Sequence, residues 1–117
     1  MNDDQPYLIE TRNGSIVSVP YSIEINDFTM LTRMGFSTDQ FLAAMKEELT
    51  VILSEAAISG SGRMMNVGLH PHVSGRAYRI RAIKEFLNYA KSLEGVWFAT
   101  RAEIAEWYSE NNAGHIV

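Results

Sequence analysis

The sequence predicts an α/β fold in which short parallel strands are covered by helices, and three observations predict it. Residues 64–69 and 95–99 are apolar runs too short for helices, as expected of strands buried on both faces. Three stretches, opening near Thr38, Ala77 and Thr100, carry apolar residues at helical spacing. The resulting order, helix, strand, helix, strand, helix with short connections, is that of parallel strands joined by crossover helices. Two such strands and a hairpin make a small sheet, and a parallel sheet of that size leaves strand edges unpaired. The sheet these residues can build is therefore expected to be incomplete.

Taken in order, residues 7–11 and 15–19 are β-prone runs separated by Arg12-Asn13-Gly14. Asn-Gly favours a primed hairpin turn, whose central residues need positive φ. Pro20 cannot donate to a ladder, so the second strand should end there or lie at an edge. Residues 21–27 read as a further extended piece or loop ending in Asn26-Asp27. Ser37-Thr38-Asp39-Gln40 is a capping-box pattern that opens a helix, with Phe41, Met45, Leu49, Ile52, Leu53 and Ala56 on one face. Ser59-Gly60-Ser61-Gly62 ends it and turns the chain into the first central strand. A helix over 78–93 presents Tyr78, Ile83, Phe86, Leu87 and Ala90. After the second strand, Thr100-Arg101-Ala102-Glu103 repeats the capping box and opens a last helix bearing Ile104, Ala105, Trp107 and Tyr108.

Length and composition narrow the function. The 117 residues amount to one domain's worth of chain, and 46% hydrophobic with 21% charged residues is ordinary for a globular protein. The formal charge of −4 argues against nucleic acid or an anionic membrane as the main partner. Without cysteine there is no disulfide framework, thiolate zinc site or thiol nucleophile. No run approaches membrane-spanning length and the acidic start does not resemble a signal peptide, so a cytoplasmic location is expected.

The candidate chemistry centres on His70-Pro71-His72, where the first central strand ends. In parallel α/β folds ligands gather beyond the carboxyl ends of strands. Imidazoles two apart on an extended segment project to one side and can share a substrate or metal. A catalytic zinc needs three protein ligands. The third histidine, His115, lies in a tail expected to fray, which leaves Asp27 or the Asp3 and Asp4 pair to complete a site. The plainer alternative is that the histidines hydrogen-bond their own loop. Asn26 and Asp27 can orient a polar substrate or simply make a turn. Arg76, following Gly75 before a helix, can hold an anion or join Arg79 and Arg81 on a solvated face. Trp97, Phe98, Trp107 and Tyr108 can stack sugars, but at these spacings they read first as core.

Four blocks, in order, resemble the C-terminal part of the polysaccharide deacetylase family, in particular its allantoinase-like, urate-catabolism branch. They are Asp3-Asp4-Gln5-Pro6-Tyr7; Val19-Pro20-Tyr21-Ser22 with Asn26-Asp27; Leu69-His70-Pro71 with Gly75-Arg76 and Arg79; and Gly95-Val96-Trp97-Phe98 with Arg101 and the segment from Glu103 to Trp107. Ala77 departs from the pattern, where proline often follows Gly-Arg, which bears on the start of the helix. The resemblance implies the C-terminal part of a distorted (β/α) barrel with an N-terminal β-hairpin, and residues 1–117 as a single partial domain. It implies hydrolysis of non-peptide C–N bonds, by deacetylation of N-acetyl sugars or opening of a cyclic amide. By the resemblance, His70 would assist the tetrahedral intermediate or the leaving nitrogen as a general acid, with Asn26, Asp27 and Arg76 lining or supporting the site and His72 binding substrate.

The family's early catalytic Asp block and paired metal-binding histidines have no counterpart here, since no histidine precedes His70. The chain is thus expected to be a truncated frame or one piece of a split enzyme, inactive alone and holding no cofactor, with a divalent metal possible in the complete family fold. Its expected partner is the missing N-terminal half. The alternatives are a non-catalytic domain that self-associates as a homo-oligomer, or a small metal binder using His70 and His72.

Overall fold

The computed structural model describes residues 4–115. Strands β1 (Tyr7–Thr11) and β2 (Gly14–Ser18) form an antiparallel hairpin in which Tyr7 pairs with Ser18 and Thr11 with Gly14. The register centres the turn on Arg12-Asn13, and Gly14 alone takes positive φ, +115°. The hairpin is as expected, but its turn is not the primed type with two positive φ values. Asn13 does not take the positive φ expected of it, and Gly14, which pairs with Thr11 just after the turn, takes it alone.

Helix α1 (Thr38–Ser59) starts as its sequence dictates: the backbone N–H of Gln40 donates to Ser37 Oγ at 3.1 Å and that of Ser37 to Gln40 Oε1 at 2.8 Å. Gly60, at φ +68°, closes it in the left-handed conformation that a Cβ would resist. The short helix α2 (Pro71–Ser74) precedes α3 (Ile80–Ser92) and α4 (Arg101–Asn111), the last opened by the Thr100–Glu103 capping box. The helix expected from about Ala77 thus begins at Ile80, because residues 75–79 turn rather than coil. Tyr78 falls off the apolar face and is exposed.

The core lies between α1 and α3. Phe41, Leu42, Met45, Leu49 and Ile52 from the first pack with Ala82, Ile83, Phe86 and Ala90 from the second. Thr50 Oγ1 and Tyr89 Oη, 2.8 Å apart, and the Arg81–Asp39 ion pair at 2.5 Å join the rims of this helix pair. Like α2, which falls where a loop was expected, Phe28–Arg33 was not anticipated: it is a π-helical turn that buries Met30 and Leu31 against the same core.

The two central strands are corrected. Residues 64–69 are extended, but their ladder is reduced to one parallel bridge, Gly68 with Asn26. Residues 95–99 join no sheet, and Trp97 and Phe98 are 57% and 51% exposed rather than core. Trp107 is likewise exposed, and of the four aromatic residues only Tyr108 is buried. A strand requires a neighbour to pair with, and among the described residues these edges have almost none. Asp4, one of two candidate carboxylates, pairs with Arg63 at 2.9 Å; Asp3 lies outside the described residues.

Gly68 shows why the single bridge is so close. A Cβ there would lie 2.3 Å from Asn26 Nδ2 and 2.9 Å from Tyr21 Oη. Gly68→Ala is therefore expected to destabilise the fold by about 1–3 kcal/mol, measured as a shift of the urea midpoint at unchanged slope.

Candidate functional site

The site forms where two extended segments run side by side and both end. Gly68 donates its N–H to the Ile25 carbonyl at 2.9 Å, and Asp27 donates its own to the Gly68 carbonyl at 3.0 Å. Beyond the bridge each segment turns into a helical element, the π-helical turn after Asp27 and α2 after His70. Pro71 occupies the first helical position, where its missing N–H costs nothing. Two loop ends are thereby brought together from residues 43 apart in the chain.

Asp27 is completely buried. Its Oδ1 accepts from His70 Nδ1 at 2.6 Å, and its Oδ2 accepts from the His70 backbone N–H at 2.8 Å and from Ser74 Oγ at 2.6 Å. Burial works to raise the carboxyl pKa. The His70 N–H, the Ser74 hydroxyl, the His70 ring and the positive charge it can carry outweigh burial together and hold it below the ordinary value. An ionised carboxylate can only accept, so the neutral imidazole carries its proton on Nδ1 and presents Nε2 as the atom that takes up or releases a proton. The His70 side chain is 40% exposed, beside the Phe28 ring and edge-on to His72, each 5.7 Å away between centroids. A half-open imidazole, oriented by a buried carboxylate, is built for proton transfer at the end that faces outward.

The other expected residues fall unevenly around this pair. Asn26 is buried, with Oδ1 accepting from the N–H groups of Phe28 and Thr29 at 3.0 and 3.2 Å and Nδ2 donating to Tyr21 Oη at 3.2 Å. Its amide shapes the turn that carries Asp27. His72 is exposed next to His70; because Pro71 begins a helical turn, the two lie on a helix start rather than on the extended segment expected. Arg76 is exposed on the turn after α2, its carbonyl accepting from the N–H groups of Arg79 and Ile80. His115 is away from the site, 2.6 Å from Tyr108 Oη through Nδ1. Among the described residues no group of three His, Cys, Asp or Glu could hold a metal ion. Asp27 and His70 already face each other, so the donor set does not fit a divalent cation.

Ser74 was not anticipated. It lies four residues after His70, the spacing that returns one turn of helix to the same face, and it is buried. Ser74→Ala removes one of three donors to a buried carboxylate. A loss of about 1–3 kcal/mol is expected, read from urea denaturation at neutral pH.

An apolar cleft of about 660 Å³, lined by Leu69 but not by Asp27 or His70, opens between the helices and the extended segments. Met65, Val67, Phe86, Trp97, Phe98 and Trp107 are among its walls. No helix among the described residues is long and apolar enough to cross a membrane.

No family model matches the chain. It is 34% identical, over 92% of its own length and 37% of the relative's, to a Schizosaccharomyces pombe protein that carries the provisional name polysaccharide deacetylase. A solved structure of a probable polysaccharide deacetylase from Pseudomonas aeruginosa PAO1 superposes with a TM-score of 0.83 at 34% identity, covering 93% of this chain and 37% of that one. The solved structure of Puue allantoinase superposes at 0.85 with 32% identity, covering 97% and 38%. The chain thus spans little more than a third of each relative.

Proposed function

We propose that this chain, 32–34% identical to just over a third of each of these relatives, is the C-terminal part of a polysaccharide deacetylase-type fold and supplies the proton-transfer half of a hydrolase acting on non-peptide C–N bonds. The substrate is an N-acetyl sugar, which loses acetate, or a cyclic amide, which is opened. In either case water adds to the carbonyl carbon, the C–N bond of the tetrahedral intermediate breaks, and the leaving nitrogen takes a proton. His70 Nε2 gives that proton, while Asp27 holds the ring and stabilises the imidazolium before transfer. His72 and Arg76 meet polar groups of the substrate, a role that their exposure supports. Activation of the water falls to residues beyond this chain, so the chain alone is inactive. The observation that carries the reading is the 2.6 Å contact between His70 Nδ1 and fully buried Asp27.

The test uses a chimera in which this chain replaces the matched segment of the Pseudomonas aeruginosa relative. Release of acetate from an N-acetylglucosamine oligomer, or opening of allantoin, is expected of the chimera and not of the chain alone. A folded chimera inert toward both would overturn the reading. A second reading, a non-catalytic domain that self-associates, is favoured by the exposure of Trp97, Phe98 and Trp107.

A further inference from the structure

Asp27 stands at the N-cap of the π-helical turn, and an aspartate there ordinarily turns its carboxylate back onto the free N–H groups of the helix it opens. This one does not: its side chain makes no cap, and both oxygens are committed to His70 and Ser74. The capping falls to the residue before it. Asn26 Oδ1 accepts from the N–H groups of Phe28 at 3.0 Å and of Thr29 at 3.2 Å. The Thr29 N–H, two residues on, is one that a capping Asp27 would claim. Two neighbouring side chains thus divide two tasks that would otherwise compete for one carboxylate.

Tyr21 keeps Asn26 to its task. The two backbone donors decide which end of the amide faces them, so Nδ2 is left to find an acceptor inside a residue only 7% exposed. Among the described residues that acceptor is Tyr21 Oη, at 3.2 Å. Room for the pair exists because residue 68 is glycine, whose Cβ would otherwise meet both groups. Tyr21 is held in turn from the start of α4. The Arg101 guanidinium lies 5.6 Å from the Tyr21 ring centroid and donates from Nη1 to the Val19 carbonyl at 3.2 Å.

We propose that Tyr21 and Asn26 are positioning residues for the Asp27–His70 pair: the Tyr21 hydroxyl holds the Asn26 amide on the turn, the amide caps the turn in place of Asp27, and the Asp27 carboxylate is left free to orient His70. Without the hydroxyl the amide nitrogen is buried with no acceptor, which favours its release toward water. The Phe28 and Thr29 N–H groups then draw Asp27 round to cap them, and His70 loses the group that keeps its proton on Nδ1. This role rests on the functional reading above for what His70 does, and on geometry alone for how the ring is held.

Tyr21→Phe deletes one oxygen and spares the ring beside Arg101, so the full chain is expected to fold. NMR of the imidazole nitrogens, in the full chain and again in the chimera, reads which His70 nitrogen carries the proton and how fast that proton exchanges with water. In the parent the proton is on Nδ1. In Tyr21→Phe it should exchange about tenfold faster, the ratio set by one lost hydrogen bond, with part of the ring moving to the Nε2-protonated form. Tyr89→Phe deletes the hydroxyl that meets Thr50 on the rim of the α1–α3 pair and should leave the His70 proton unchanged. Asn26→Ser keeps a capping oxygen but has no amide nitrogen, so Tyr21→Phe added to it should have no further effect. A Tyr21→Phe protein whose Nδ1 proton exchanges as in the parent overturns the proposal. So does an equal change in Tyr89→Phe, which would mean general loosening, or a full further effect in the Asn26→Ser background. If the Nδ1 proton responds as expected in a chimera that hydrolyses nothing, the positioning role stands and the functional reading is refuted instead.

Discussion

His70→Asn in the chimera is expected to lower kcat about 10²–10⁴-fold, the range associated with loss of a positioned general acid or base. Asparagine suits the test because its Nδ2 can stand where Nδ1 now donates to Asp27 at 2.6 Å, while nothing replaces Nε2. The fold should therefore survive while the proton donor is lost. The loss should fall on kcat rather than on KM, since the proton moves only as the C–N bond breaks. A thermal melt run in parallel separates chemistry from unfolding. A variant that keeps its melt and retains turnover within about threefold would remove His70 from the mechanism.

Asp27→Ala is expected to cost about 3–5 kcal/mol, close to the whole stability of a small domain. The substitution leaves the Ser74 hydroxyl and the His70 N–H without the carboxylate that accepts from both. Asp27→Asn fills the space but turns one acceptor into a donor opposed to donors, and should cost somewhat less. The same carboxylate sets the acid limit. Its folded pKa lies below the unfolded value, so its contribution is complete above about pH 4 and fades as pH falls through that value and then through the folded one. Urea midpoints across pH 2–7 should thus slope less below pH 4 in Asp27→Asn than in the parent, and identical slopes would show that Asp27 does not carry the acid sensitivity.

The elements that follow local rules were legible. Ser37-x-x-Gln40 and Thr100-x-x-Glu103 each contain both halves of a reciprocal hydrogen-bond pair, and the helices start there. The hairpin followed from two β-prone runs about a tight turn, although the register moved the turn's centre to Arg12-Asn13. The π-helical turn at Phe28–Arg33 was not legible, because Met30 and Leu31 are buried by the core rather than by any regular spacing. In the site, His70 stood out by its place between an apolar run and Pro71, but Asp27 read equally as turn chemistry and Ser74 carried no signal beyond its spacing.

By itself, then, the sequence determined where helices begin, where the hairpin turns, and that His70 ends an extended run beside a loop. These depend on neighbours within a few residues, which the chain supplies wherever it folds. Only the tertiary structure decided that Asp27 is the group behind His70, that Ser74 completes its hydrogen bonding, and that the two apolar runs do not form strands. A buried carboxylate finds its donors across 43 and 47 residues of intervening chain, and a strand exists only when a second backbone lies alongside it; neither condition is written in any local stretch.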